Sequence, residues 1–193
     1  MRRETSIDPE YFEQLYRAKG DPWGFEASPY EQAKYARTLA ALPANRFTAA
    51  LEVGCANGVL TAQLGARCDA LLAVDVSDTA LDAARARGAD LPHIRFENRR
   101  LPQDMPDERF DLILLSEVVY YLDRSDLDRA AAYLQRATRS GGHLLLVHWI
   151  GETDYPLSGD EAVDALRATL GDGFAEVHGE RHDKYRLDLW RCC

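Results

Sequence analysis

The residues richest in chemical content are Leu51-Glu52-Val53-Gly54-Cys55-Ala56-Asn57-Gly58, together with Asp75. An apolar run interrupted by an acid and two glycines four apart, then a second apolar run ending in an acid, describes a strand, a tight turn, a helix start and a ribose-facing carboxylate. The chemistry implied is binding of a nucleoside cofactor. Dinucleotide sites use G-x-G-x-x-G, so that backbone N–H groups cradle a pyrophosphate at a helix N-terminus. Here Ala56 stands in an E-x-G-x-x-x-G frame, and a ligand with an adenosine but no diphosphate fits better. Glu52, Gly54, Cys55 and Gly58 are the candidate contacts, and a β-carbon at 54 would obstruct close approach of ligand to backbone. Asp75 can accept two hydrogen bonds from one vicinal diol, each worth roughly 1.5–3 kcal/mol. Capping of the helix that follows is left to Ser77 and Asp78.

This stretch resembles motif I of the class I S-adenosylmethionine (SAM) dependent methyltransferases, with Asp75 as their ribose-holding acid. The resemblance narrows to the rhizobial nodulation N-methyltransferase (NodS-like) subfamily, which methylates an amino-sugar oligosaccharide. Asp21-Pro22-Trp23-Gly24-Phe25 with Ser28-Pro29-Tyr30-Glu31, the run from Phe110 to Leu122 and the pair Gly141-Gly142 carry it. The implied cofactor is SAM, with S-adenosyl-L-homocysteine as product. Val76 would pack on the adenine. Tyr30 and Lys34 would approach the methionyl end, Lys34 pairing its carboxylate, under a lid marked by Trp23. After the third strand the family usually places an acid against the adenine amino group. This chain has Asn98-Arg99-Arg100-Leu101 instead, where the Asn98 carbonyl or the backbone of Arg100 or Leu101 would serve and the arginines read equally as solvated surface. Ser116 and Glu117 follow the fourth strand, and Glu117 reads either as a contact to SAM or substrate or as a helix cap.

Methyl transfer to an amine needs little beyond alignment. An amine with a pKa near 8 is neutral for about one molecule in ten at pH 7, a penalty of about 1.4 kcal/mol. A hydroxyl acceptor would want a positioned base, for which His148 is the candidate; a hydrogen-bonded strand-end histidine is the alternative. Tyr120, Tyr121 and Trp149 are candidates for an acceptor pocket, because aromatic faces stack on sugar rings and attract ammonium groups. The loop 151–158 is polar and placed to close over an acceptor. The expected activity is transfer of a methyl group to a small-molecule amine, such as an amino sugar. The alternatives are an O-methyltransferase using His148, a SAM-binding protein without turnover, and a nicotinamide-dependent oxidoreductase. No metal-ligand pattern is present; His178 and His182, four apart across a strand end, have poor spacing for one.

Alternating patterns supply the scaffold. Asp8 and Pro9 open a helix that ends near Gly20, and a second helix covers 30–42. Strands are expected at 49–53, 70–74, 94–96, 112–115 and 144–148, with helices at 58–64 and 78–87. A further helix is capped by Ser125 or Asp126 and runs through Arg139, before Gly141-Gly142 turns the chain. A helix at 159–170 and a strand pair, 174–178 and 185–190, complete it. The fold class is α/β with right-handed parallel crossovers. Resemblance implies the Rossmann-like methyltransferase fold, a mostly parallel seven-stranded sheet with an antiparallel last strand and an N-terminal helical lid. One domain is expected over 1–193, divided into lid (1–43), SAM-binding core (44–150) and C-terminal completion (151–193).

Composition disfavours other classes. A formal charge of −9 opposes a phosphate backbone as partner, and an acidic field draws cationic ligands. No apolar run reaches the roughly 18 residues of a membrane span, and the four cysteines form no paired framework. A cytoplasmic protein with a small-molecule partner, and neither nucleic acid nor membrane, is expected.

Overall fold

The computed structural model describes residues 2–44 and 46–193; Met1 and Asn45, in the expected lid and core, lie outside them. Six α-helices and seven strands alternate along the described chain. The strands form a sheet in the order β3-β2-β1-β4-β5-β7-β6, mostly parallel with β7 antiparallel, as the resemblance implied. The chain forms two compact units, Asp8–Arg100 and Leu101–Cys193, the latter together with the N-terminal segment up to Ile7.

The first unit contains α1 (Pro9–Lys19), α2 (Pro29–Ala41), β1 (Ala50–Val53), α3 (Val59–Gly65), β2 (Leu71–Asp75), α4 (Asp78–Arg87) and β3 (Ile94–Asn98). β2 pairs in parallel with β1 and with β3. Leu51, Leu71, Leu72 and Val74 are buried, as expected for strands covered on both faces. α1 begins where the Asp8 carboxylate accepts from Glu10 N and Pro9 needs no hydrogen bond. Its anchor is a residue that sequence pattern did not single out. Glu13 accepts from the Ser77 hydroxyl (2.6 Å), the Thr79 hydroxyl (2.7 Å) and Thr79 N (3.2 Å), and pairs with Arg17 at 2.8 Å. Those hydrogen bonds hold its carboxyl at about 2 instead of 4.5.

Because this folded-state pKa is depressed, the stabilisation is complete above about 4.5 and is lost as pH falls toward 2. Glu13→Ala leaves two hydroxyls and a backbone N–H without their acceptor. It is expected to destabilise the protein by about 1–3 kcal/mol at pH 7, and by progressively less in urea titrations run at pH values falling toward 3.

The second unit contains β4 (Phe110–Ser116), a 3-10 turn (Val119–Tyr121), α5 (Arg124–Ala137), β5 (Thr138–Trp149), α6 (Gly159–Leu170), β6 (Phe174–Arg181) and β7 (Tyr185–Cys192). β4 and β5 are parallel, and β7 runs antiparallel to both β5 and β6. Three sequence expectations are corrected here. The cap of α5 is Asp123, whose carboxylate accepts from Asp126 N, and not Ser125 or Asp126. The helix stops at Ala137, where the Thr138 hydroxyl bonds Leu134 O at 2.7 Å. Gly141-Gly142 does not turn the chain between elements but lies within β5. Phe110 pairs with Thr138 and Leu112 with His143, so β5 advances five residues where β4 advances two, and the excess forms a bulge. Gly142 is required there: a β-carbon would sit 2.8 Å from Arg139 O and 3.2 Å from Asp111 Cα.

The N-terminal segment straps this unit. Ile7 N donates to Tyr121 O (2.9 Å), Ser6 N to the Asp123 carboxylate (3.2 Å) and Arg3 N to Asp154 O (2.9 Å).

Candidate functional site

In the first unit, β1 leads into a loop with three left-handed residues, Gly54 (φ 82), Ala56 (φ 50) and Gly58 (φ 78). Ala56 is the costly one, since a β-carbon disfavours this conformation by roughly 1–2 kcal/mol. Asp75 offsets that cost by accepting from Ala56 N at 2.9 Å through one oxygen, and from Ser77 N at 3.0 Å through the other. A carboxylate has about four lone-pair sites, so these two bonds leave capacity for a diol. Burial raises the Asp75 pKa, opposed by the backbone N–H groups.

Glu52, one residue from the end of β1, is 1% exposed, and its Oε2 has no hydrogen-bond partner. Burial, with the Asp75 charge adding to it, pushes its pKa up to about 7. The Asn57 Oδ1 is likewise buried without a partner. Orphaned acceptors of this kind suit a ligand carrying N–H donors and positive charge. SAM carries an ammonium and a sulfonium, so this set of acceptors fits it.

The two glycines differ in purpose. A β-carbon on Gly58 would lie 2.9 Å from Ala84 Cβ and 3.0 Å from Ala84 Cα; close packing of the loop on α4 demands glycine there, a requirement the sequence did not show. Gly58→Ala adds backbone strain to that clash and is expected to cost about 2–4 kcal/mol in chemical denaturation. Burial pushes the Cys55 thiol well up, so it is not a nucleophile.

Val76 is half-buried directly after β2. Asn98 lies opposite Asp75 in the β2–β3 register, and its amide donates to Val76 O at 3.4 Å. Arg99 N donates to Asp75 O (3.1 Å), and its guanidinium bonds Glu97 at 2.7 Å. Arg100 is half-buried, and Leu101, buried, belongs to the second unit.

The Asp-Pro-Trp turn is organised by Asp21, which accepts from Phe25 N (2.9 Å) and Glu26 N (3.0 Å). Trp23, 38% exposed, stacks on Phe25 and meets Tyr16 edge-on. Arg87 ties this turn to the loop after β1 through Glu26 and Asn57 O. Lys34 is buried and pairs with Glu31 at 2.9 Å, 5.5 Å from the Tyr30 ring. The ammonium that resemblance assigned to a cofactor carboxylate is held in this structure by its own helix.

In the second unit the residues after β4 form a cluster. Glu117 follows Ser116 with φ 57, held by its N–H to Val147 O at 2.9 Å. Its Oε2 accepts from the Tyr120 hydroxyl (2.6 Å) and Trp149 N (2.8 Å). It therefore organises neighbouring side chains and is not a helix cap. Tyr120 lies 4.6 Å from Tyr121 and 5.3 Å from Tyr155, and Tyr121 lies 4.7 Å from Tyr155, between ring centroids. Burial pushes the Tyr120 and Tyr121 phenols well up, with Glu117 adding to it. Tyr155 escaped sequence reading because a single aromatic residue in a polar loop has no periodicity; the strap to Asp154 and the bond from Leu157 N to Tyr120 O position it.

His148 differs from the expected base. It is fully buried, and its Nε2 accepts from Val118 N (3.3 Å) and Val119 N (3.1 Å). The lone pair that would take a proton is holding the 3-10 turn. His178 and His182 both bond Glu180. Among the described residues no helix is long and apolar enough to cross a membrane.

Comparison with known proteins places these features in a family setting. The family model described as Nodulation protein S (NodS) matches residues 11–147. Nodulation protein S of Rhizobium tropici is 37% identical over 130 residues, 66% of this chain and 55% of the relative. The malonyl-[acyl-carrier protein] O-methyltransferase of Serratia marcescens is 32% identical over 139 residues, 72% of this chain and 48% of the relative. The chain thus spans about half the length of these relatives. Among solved structures, N-methyltransferase NodS from Bradyrhizobium japonicum WM9, in complex with S-adenosyl-L-homocysteine, superposes with a TM-score of 0.81 at 23% identity, covering 96% of this chain and 99% of that one.

Proposed function

Since this chain belongs to the NodS family, we propose that it transfers a methyl group from SAM to an amine of a small molecule, an amino sugar being the acceptor class implied by the resemblance. SAM supplies the electrophilic methyl group when bound. Glu52 would face the cationic methionyl end and Asp75 the ribose, while Asn98 and Val76 would border the adenine. The residues around Glu117 and Tyr120 would hold the acceptor. Holding reactants in a near-attack arrangement contributes about 7–11 kcal/mol, which covers much of the requirement for a neutral amine nucleophile.

The observation that carries the amine reading is the commitment of His148 Nε2 to two backbone N–H groups. A hydroxyl acceptor would need that nitrogen as a base. The O-methyltransferase relative favours the second reading, transfer to oxygen. Methyl-labelled SAM offered with pairs of acceptors that differ only in amine or hydroxyl, followed by mass spectrometry, decides between them. The expected result is one added methyl on the amine members. Transfer to the hydroxyl members alone would overturn the reading, and cofactor binding without transfer to any of a broad panel would favour a binding protein.

A further inference from the structure

We infer that Glu117, with Tyr121 and Tyr155, forms the seat for the acceptor's ammonium group, with Tyr120 and Trp149 fixing the carboxylate in place. The inference rests on the amine reading and adds residue roles to it.

Three observations in the second unit carry it. First, Glu117 adopts φ 57, a conformation costly for a residue with a β-carbon and found preferentially where function demands it. The strain persists because the backbone is pinned to Val147 O. Second, the carboxylate is oriented by a hydroxyl and a backbone N–H on one oxygen. These two donors are neutral groups, and the tyrosine is kept protonated by burial. Third, the three tyrosine rings lie within 5.3 Å of one another, and one of them, Tyr120, is bonded to this acid. Tyr120 is buried, whereas Tyr121 and Tyr155 are half-buried and present surface to a ligand.

A carboxylate among aromatic rings recognises a cation twice, by direct charge pairing and by the negative ring faces. A neutral hydroxyl of the same shape obtains neither benefit. The seat therefore selects protonated amines before any chemistry takes place; the proton must then pass from the nitrogen to the Glu117 carboxylate, which frees the lone pair of the neutral amine for attack, and Tyr155 acts as a specificity-determining residue delivered by the 151–158 loop. That loop is strapped by Arg3 N to Asp154 O, and the turn bearing Tyr121 by Ile7 N.

The test uses benzylammonium and its neutral counterpart benzyl alcohol, titrated at pH 7 into the full chain saturated with S-adenosyl-L-homocysteine and followed by ligand-observed NMR. The wild type is expected to bind the ammonium at least about tenfold more tightly than the alcohol. Glu117→Gln is expected to bring the two within about twofold, and Tyr155→Ala to weaken the ammonium about fivefold, with Tyr155→Phe close to wild type. Cofactor affinity should stay unchanged in all folded variants. Equal affinity for the two probes in the wild type overturns the inference, as does a preference that survives Glu117→Gln. Should that variant fail to fold, a Tyr155→Ala protein that keeps full ammonium affinity overturns it instead. No methyl transfer is read, so failure here is distinguishable from failure of the amine reading, which appears only in the mass-spectrometric assay.

Discussion

Replacing Asp75 by alanine is expected to weaken SAM binding by about 10²–10⁴-fold in calorimetric titration. Two charge-assisted hydrogen bonds to a ribose diol contribute roughly 1.5–3 kcal/mol each, and about 1.4 kcal/mol corresponds to a factor of ten. The structure adds a second cause. Asp75 also accepts from Ala56 N and Ser77 N, so its removal releases the left-handed Ala56 and loosens the loop that would meet the cofactor. Part of the loss should therefore appear without ligand, as a destabilisation of about 1–3 kcal/mol in urea unfolding and faster amide exchange at Ala56. Asp75→Asn separates the two causes poorly, because its NH₂ group must oppose one of these N–H donors. An Asp75→Ala protein that retains SAM affinity within threefold would remove the ribose from this site.

The second large effect concerns Glu52 and is visible as protons. Its carboxyl, buried with an unpartnered oxygen, has a pKa of about 7 against 4.5 in an exposed carboxylate. At pH 6 the ligand-free protein thus holds a proton there. A cationic ligand beside it favours the charged form, so SAM binding is expected to release close to one proton at pH 6 and almost none at pH 8.5. Titration calorimetry in buffers of different ionisation enthalpy reads this directly. Affinity should rise with pH up to about 7 and then level.

The same residue makes the ligand-free protein pH-sensitive in the opposite direction. With a folded pKa above the unfolded value, its favourable contribution is complete below about 4.5 and is lost as pH rises through about 7. At ~1.4 kcal/mol per pH unit the loss is on the order of 3 kcal/mol. Glu52→Gln cannot ionise. Its Tm should be less dependent on pH between 5 and 8 and should exceed the wild-type value above pH 7, while its SAM affinity falls and its proton release disappears. Proton release unchanged in Glu52→Gln would locate the titrating group elsewhere. Stability given up at a buried acid and regained on ligand binding is a common arrangement at sites that must recognise charge.

Much of this arrangement was legible in the order of residues. Strand and helix periods depend on local side-chain alternation, so α4, α6 and the strand pair at the C-terminus fell where pattern placed them. The loop Gly54 to Gly58 and the acid at 75 were readable because a left-handed turn between two apolar runs demands specific residue types. Bulges and caps were less legible, since Asp123, which caps α5, and Ser125 and Asp126, which the sequence suggested, can all accept from a backbone N–H and only the path of the chain selects one. The glycine pair in β5 signals an irregular backbone equally well inside a strand or after it.

What lay beyond the sequence was whatever depends on residues far apart in the chain. Glu13 finds Ser77 and Thr79, Tyr155 reaches Tyr120 and Tyr121, and the imidazole of His148 is taken up by Val118 and Val119. Local sequence by itself determined the family, the alternation of elements and the acids near the ends of β1 and β2, because those follow from short-range sterics and hydrophobic period. Tertiary structure alone decided which lone pairs remain for chemistry, because a hydrogen-bonding group is defined by its partner, and partners are chosen by packing.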